Sequence, residues 1–341
     1  MANPRIRTSA LLLFSIFLLL ACQVSNTPAS TAAPSSPSLI SIGTPTQTET
    51  STPIATLTET ATPTLEPAPL ASRVLILSID GLRPDAISLA PMPNLLALME
   101  NSAYTLAAQT IHPSSTLPSH SSMLTGVCPS KHGVDWNDYI PSNGYANGTD
   151  LFDLSHAAGL QTVMHVGKEK LQQITEPASL DIFTYVNDRD LVVTQRLLDD
   201  FPQDFGVMFV HFPLVDGMGH VYGWLSPEQL SVAFRADEAL GKLLAELDVR
   251  GIRDETLIII TADHGGHDTT HGSSLPEDMT IPWIASGAGI QPKALTTQVH
   301  TMDTAATTAF ALGLPIPPEW DGVPVYEAFS LPVIRQSAQC Q

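Results

Sequence analysis

Positive charge is scarce in this chain: 15 Lys and Arg stand against 34 Asp and Glu, a formal net charge of −19. Nucleic acids and anionic membranes are bound through clustered Lys and Arg, so this balance excludes them as the main partner. An anionic substrate must then be drawn by a local positive field, of the kind bound metal ions provide. Long apolar runs are missing too: the stretch from Ala10 to Ala21 falls short of the ~20 residues of a spanning helix. Cysteine is nearly absent, with only Cys22, Cys128 and Cys340. Beyond Cys22 at most one internal disulfide is available, Cys128 with Cys340, and only in an oxidising compartment. The sequence leaves a bridge and two inert thiols equally open. From Val24 to about Ala71 there is no Lys or Arg at all, and the stretch is mostly Ser, Thr, Pro and Ala with a few Glu. Such a stretch cannot bury enough apolar surface to offset its ordering entropy.

The start of the chain indicates where the protein works. Arg5 and Arg7 precede the short apolar run, which ends Leu19-Leu-Ala-Cys22. A basic start, a short apolar core and a small residue before the cut make a secretory signal. Leu-Leu-Ala-Cys resembles a bacterial lipoprotein processing box, which implies a lipid on Cys22 and a membrane anchor facing outside the cytoplasm. Gln23 follows, so an aspartate-type retention signal is missing. The expected organisation is a leader over 1–22, a tether over 23–71, a folded domain over 72–335 and a tail over 336–341. No internal repeat is visible.

Strands and helices alternate through the folded part. Arg73–Ile79, Gln161–Val166, Val207–Phe212, Leu257–Thr261 and Thr280–Ala285 are apolar runs that read as strands. Pro93–Asn101, Leu191–Phe201, Glu228–Leu247 and Met302–Leu312 have helical spacing. This alternation predicts an α/β fold, a three-layer sandwich with a mainly parallel central sheet and helices on both faces. Residues 139–190 are expected to add a small cap or pocket wall. Ligands of such folds gather outside the C-terminal strand ends.

Three acids are placed there. Asp80 ends the first strand in Ile79-Asp-Gly-Leu-Arg-Pro84. Asp216 and His220 lie just past Val207–Phe212, and their i, i+4 spacing puts them on one side of a helical turn. Asp263-His264 ends the next strand, in the run Thr261-Ala-Asp-His-Gly-Gly-His-Asp-Thr-Thr-His-Gly272. Clustered Asp and His are costly to bury without a metal or ion partners. Three carboxylates and three imidazoles suffice for two divalent metals, Zn²⁺ foremost, with Mn²⁺ or Fe as alternatives. His267 and His271 compete for one of these places. Asp80 or Asp216 taken alone is also an ordinary turn former.

A second signal is Ile111-His-Pro-Ser-Ser-Thr-Leu-Pro-Ser-His-Ser-Ser-Met-Leu-Thr-Gly126. Pro118 marks a helix start, which places Thr116 where free N–H groups and the dipole favour a phosphoryl group. Metal coordination would turn this weak hydroxyl into a nucleophile. Taken alone, Ser114, Ser115 and Thr116 are helix caps.

Asp80-Gly81, Pro113-x-x-Thr116-Leu-Pro-Ser-His120, Asp216-x-x-x-His220, Asp263-His264-Gly265 and His271-Gly272 occur in that order. The set resembles the alkaline phosphatase superfamily, and within it the type I phosphodiesterase/nucleotide pyrophosphatase family, over most of Arg73 to Gly322. The resemblance implies one metal held by Asp216, His220 and His271. It implies a second held by Asp80, Asp263 and His264, with Thr116 as nucleophilic ligand and a phosphothreonine as intermediate. Asn137 stands where the family places an amide donor to the phosphoryl group. Gly272 and the later Ile281-Pro282 fit the family frame and favour His271 over His267.

The branch is set by fewer residues. Sulfatases of this superfamily need Cys or Ser followed by x-Pro-x-Arg; here the frame reads Thr116-Leu-Pro-Ser-His120, so that chemistry is absent. Lys168-Glu-Lys170 resembles the basic pair of threonine-type monoesterases and phosphonate hydrolases, and read alone it is a solvated helix start. The expected activity is hydrolysis of phosphodiester or pyrophosphate bonds in a small phosphorylated substrate. Monoesters or phosphonates are the alternative. From another class comes a surface lipoprotein that binds without turnover, but binding alone needs no Thr116. Trp136, Tyr139, Tyr222 and Trp224 are candidates for stacking on a substrate group, or plain structural aromatics.

Overall fold

The computed structural model describes residues 68–340. The leader, Cys22 and nearly all of the tether lie outside the described residues. The strands are β1 (Arg73–Ile79), β2 (Ser102–Gln109), β3 (Gln161–Val166), β4 (Ile182–Tyr185), β5 (Phe205–Phe212), β6 (Thr256–Thr261), β7 (Thr280–Gly287) and β8 (Lys293–Ala294). The helices are α1 (Pro84–Leu89), α2 (Pro93–Met99), α3 (Thr116–Thr125), α4 (Pro129–His132), α5 (Leu151–Ala157), α6 (Asp190–Asp199), α7 (Leu214–Tyr222), α8 (Pro227–Val249), α9 (Pro276–Met279) and α10 (Asp303–Ala311).

All eight strands form one sheet in the order β4-β3-β5-β1-β6-β7-β2-β8. The ladders from β4 to β6 and between β2 and β8 are parallel, and β7 runs antiparallel to both its neighbours. The mainly parallel sheet expected from the alternation is therefore present, with one reversed strand. Parallel strands need cover on both faces, and their sequences show it: β5 reads Phe-Gly-Val-Met-Phe-Val-His-Phe and is buried throughout. Burying one such Leu, Ile or Phe contributes about 1.5–3 kcal/mol. The three adjacent strands β5, β1 and β6 are thus the most tightly held part of the sheet, and three of the site's segments spring from their C-terminal ends.

Helix α8 owes its position to Val232, Ala233, Ala236, Ala239, Leu240, Leu243, Leu244 and Leu247, a buried stripe at three- and four-residue spacing. Asp237 on the same helix is fully buried and accepts from the N–H groups of Asn94 (3.0 Å) and Leu95 (2.7 Å), the first turn of α2. It replaces the missing side-chain cap of that helix.

The folded unit begins slightly earlier than residue 72: the N–H groups of Leu70 and Ala71 donate to the Ala311 carbonyl at 2.8 and 3.0 Å. Residues 139–190 do not form a separate lobe, because β3 and β4 are strands of the main sheet. Cys128 and Cys340 are joined in a disulfide across 212 residues of sequence. It fastens the C-terminal tail to the entry of α4. Breaking it by Cys128→Ser is expected to cost about 2–5 kcal/mol. Urea unfolding of oxidised wild type and variant checks this; equal midpoints would show the clamp to be idle.

Candidate metal centre

Asp80 follows β1 directly and Asp263 lies two residues past β6. Asp216 and His220 sit one turn apart on α7, which follows β5. Gly81 makes the bend after Asp80 with φ +71°, and a Cβ there would stand 3.0 Å from the Asp216 Cα and Cβ. Only glycine lets β1 and α7 approach this closely.

Two groups of ligand-bearing side chains result. Within Asp216, His220 and His271, and within Asp80, Asp263 and His264, the ligand atoms lie within 4.8 Å of one another. Asp216 Oδ1 is 3.3 Å from His220 Nε2 and 3.5 Å from His271 Nε2. His264 Nε2 is 3.4 Å from Asp80 Oδ1 and 3.3 Å from Asp263 Oδ2. The rings of His264 and His271 stack at 3.8 Å between centroids, which makes the two groups neighbours.

The hydrogen bonds behind the imidazoles fix their tautomers. Nδ1 of His220, His264 and His271 faces the carbonyls of Thr269 (3.0 Å), Gly265 (2.7 Å) and Ser114 (2.8 Å). A carbonyl only accepts, so Nδ1 carries a proton in each ring, and it is the neutral form that presents Nε2 as a lone-pair donor. The hydrogen bond to Asp216 raises the pKa of His220. For His264 burial works downward, but the Asp263 and Asp80 carboxylates outweigh it and raise the pKa. Burial, then the neighbouring His264, pushes the His271 pKa down to about 4, so its ring is neutral at pH 7. Burial and the nearby Asp80 carboxylate raise the pKa of Asp263.

The chemistry of the group fits divalent metals. Asp80 Oδ1, Asp216 Oδ1, Asp263 Oδ2 and His264 Nε2 are buried polar atoms without a hydrogen-bond partner. Such orphans are rare, and four of them turned toward two shared points form a mixed O/N donor set suited to Zn²⁺. His267 stands outside both groups: its Nδ1 is 2.7 Å from Asp278 Oδ1.

Thr116 is the first residue of α3 and is buried. Its Oγ1 accepts from the Lys168 ammonium at 3.2 Å. That ammonium also lies 2.6 Å from Asp80 Oδ2 and from Asp216 Oδ2. Lys168 therefore reaches into the middle of the cluster. Burial favours neutral Asp80, but the Lys168 and His211 contacts win and hold its carboxyl well below the usual range. Lys170 is half-buried, and burial followed by the Lys168 charge pushes its pKa down. Asn137 Oδ1 accepts from the Leu117 N–H at 2.9 Å, so this side chain caps α3 where Ser115 does not. The Leu117 N–H is thereby occupied, and the contact brings Asn137 to the residue that follows Thr116.

Two buried histidines complete the arrangement and were not singled out as site residues from the sequence. His211, on β5, accepts from Gly167 N at 3.3 Å on Nδ1 and donates from Nε2 to Asp80 Oδ2 at 2.8 Å. His120, one turn after Thr116, pairs its Nε2 with Ser78 Oγ at 2.8 Å and its Nδ1 with the Thr116 carbonyl at 2.7 Å. His120 belonged to the motif already marked, whereas His211 is hidden inside an apolar run. Trp224 is buried; its ring meets His220 and His271 edge-on and its Nε1 donates to the Gly81 carbonyl at 2.9 Å. It buttresses the histidines. Tyr139 and Tyr222 remain exposed.

The family model described as type I phosphodiesterase / nucleotide pyrophosphatase matches residues 74–150 and 165–302. The chain belongs to this family. A Schizosaccharomyces pombe relative, described as an uncharacterized pyrophosphatase/phosphodiesterase, is 27% identical over 219 residues, covering 57% of this chain and 44% of the relative. The chain thus spans less than half the length of that protein. Among solved structures, mouse ectonucleotide pyrophosphatase/phosphodiesterase 5 superposes with a TM-score of 0.63 at 15% identity, over 76% of this chain and 99% of that one. A phosphonate monoester hydrolase from Silicibacter pomeroyi gives 0.61 at 16% identity, over 77% and 78%. At such identities the superpositions establish the fold, which is that of the alkaline phosphatase superfamily.

Proposed function

We propose that the chain is a metal-dependent hydrolase of phosphoric esters that attacks phosphorus with Thr116. Phosphodiester or pyrophosphate bonds of a small phosphorylated substrate are the target. The observation that carries this is the convergence of two ligand groups with four orphaned atoms beside the Thr116 hydroxyl.

Asp216, His220 and His271 would hold one metal, and Asp80, Asp263 and His264 the other, with Thr116. Two Zn²⁺ ions there would supply Lewis acidity toward the threonine oxygen and the leaving oxygen. The protein's own contribution is positional. The first turn of α3 presents Thr116 with its dipole toward the phosphoryl group. The Asn137 amide donates to a phosphoryl oxygen. His211 holds the Asp80 carboxylate and His120 holds the Thr116 backbone. Thr116 gives its hydroxyl proton to solvent, and its Oγ1 forms the new P–O bond as the ester oxygen leaves and takes up a proton. Water then breaks that bond, its oxygen going to phosphorus and a proton restoring the threonine hydroxyl.

A phosphomonoester or phosphonate is the second reading, supported by the Lys168 ammonium at 3.2 Å from Thr116 Oγ1; Lys168 and Lys170 together would then supply charge to an extra phosphoryl oxygen. Hydrolysis of bis-p-nitrophenyl phosphate against p-nitrophenyl phosphate by the Zn²⁺-loaded folded domain separates the two. Diester preference is expected. Monoester preference lost on replacing both lysines with Ala would establish the second reading, and no turnover of either ester would defeat both.

His211→Leu keeps the volume and removes the hydrogen bond to Asp80. It is expected to weaken Zn²⁺ affinity about 10- to 100-fold. Competition with a chromogenic chelator measures this, and an unchanged affinity would show the contact to be dispensable.

The anchoring of Cys22, the tether over 23–71 and export belong to the same proposal. The Cys128–Cys340 disulfide supports export, because such bonds persist in oxidising compartments. Cys22→Ser should move the protein from the membrane to the soluble fraction; continued membrane association would contradict the lipid anchor.

A further inference from the structure

Gln173 closes the short 3-10 turn Glu169–Gln173 and is 2% exposed. A buried primary amide has two donor hydrogens and an acceptor oxygen to satisfy, and each unmet one is costly. Here all are used. Oε1 accepts from Ile140 N at 2.8 Å and from Trp136 Nε1 at 3.4 Å. Nε2 donates to the carbonyls of Ile140 at 2.7 Å and Gly144 at 2.8 Å. The backbone carbonyl of Gln173 accepts from Ala146 N at 3.0 Å. One residue therefore fixes the 136–146 segment, which has no strand or α-helix of its own.

Both ends of this clamp lead to Thr116. The clamped segment contains Asn137, whose oxygen rests on Leu117 N. The turn that carries Gln173 starts from Lys168, whose ammonium touches Thr116 Oγ1. Lys168 and Asn137 come from segments some 30 residues apart in sequence and share no strand ladder. The Gln173 side chain supplies the direct link between the two segments.

We propose that Gln173 is a positioning residue: it sets Asn137 against Lys168 and so defines the place where the phosphoryl oxygens sit. This rests on the reading of Thr116 as the nucleophile. A displacement of about 1 Å in such a constellation costs on the order of 10²-fold in rate. A clamp that only stabilised the fold would change the melting temperature and leave the response to Asn137 untouched.

The test is a double-mutant cycle on the full folded domain, with Gln173→Met, Asn137→Ala and the pair. Met keeps the length of the side chain and removes its four hydrogen bonds. Gln173→Met is expected to lower kcat/KM about 10- to 100-fold, to weaken inhibition by inorganic phosphate, and to leave the bound zinc unchanged. In the Asn137→Ala background it should cost almost nothing more. Independent, multiplying effects would overturn the proposal, as would wild-type kinetics in Gln173→Met. If the Met variant does not fold, Gln173→Asn, one methylene short of its partners, enters the same cycle with the same expectations. Should wild type turn over no phosphoric ester, the Thr116 reading fails on its own. Calorimetric binding of inorganic phosphate to the zinc-loaded wild type and Gln173 variant then decides the positioning role, with equal affinities counting against it.

Discussion

Thr116→Ala is expected to lower turnover of phosphoric esters by roughly 10⁴- to 10⁶-fold, the scale of removing a covalent nucleophile. The fold should survive. Thr116 opens α3, where alanine is a good helix residue, and its hydroxyl accepts only from Lys168, which keeps two carboxylate partners. The metals should survive as well, because three other side chains contribute to each group. A loss of activity with unchanged zinc content and melting temperature would place the defect in the chemical step. Thr116→Ser keeps the hydroxyl and should retain most of the rate, which distinguishes loss of the oxygen from loss of shape. A rate within tenfold of wild type in Thr116→Ala would end the covalent mechanism, and water would then have to be the attacking group. Rapid-mixing kinetics add a direct readout, since a phosphothreonine that forms faster than it is hydrolysed gives a burst of product in the wild type and none in Thr116→Ala.

Removing the metals is expected to destabilise the protein as well as silence it. Asp80, Asp216 and Asp263 are buried together, and Lys168 is the lysine in direct contact with two of them. Stripping the ions leaves four orphaned polar atoms and mutually repelling carboxylates in a low-dielectric setting. An ion held at a thousand times its Kd contributes about 4 kcal/mol. With an unfolding entropy of about 2.1 cal/mol/K per residue, that is roughly 7 °C in Tm for a domain of this size. Calorimetry of the protein before and after exhaustive chelation measures the shift, and re-addition of Zn²⁺ should restore it. A Tm that does not respond, in protein that never contains metal after supplementation, would mean that the cluster is held together by Lys168 and hydrogen bonds alone.

The placement of the acids at strand ends was legible because the end of a buried strand shapes the local sequence. Asp80 and Asp263 follow continuous apolar runs, and a charged residue at that boundary stands out. Asp216 and His220 were legible as a helical i, i+4 pair. The sheet's outer strands were not. In β2, Ser-Ala-Tyr-Thr-Leu-Ala-Ala-Gln lacks a clear apolar alternation and is half exposed; β4 and β8 have four and two residues. Short edge strands take their conformation from their neighbours more than from their own propensity. His211 was hidden because a buried strand of Val, Met and Phe gives a histidine no periodic signature, and its partner Asp80 is 131 residues away. Lys168 shows the same limit from the other side. Its local sequence is that of a solvated turn, yet β3 lies next to β5 in the sheet, and that adjacency lets the ammonium reach Asp216. Long-range register decides such contacts, and a single sequence does not display it.

The disulfide also divides the protein in a way the fold alone does not. Cys128 and Cys340 close a covalent ring that contains Asp216, His220, Asp263, His264 and His271, while Asp80 and Thr116 lie on the open arm before it. A protease that cuts once inside the ring frees no fragment. The nicked molecule keeps its mass on a non-reducing gel and separates into two pieces only when a thiol is added. The same cut before Cys128 detaches the arm outright, held only by the sheet. Most single cuts would thus leave every candidate ligand on one covalently connected molecule.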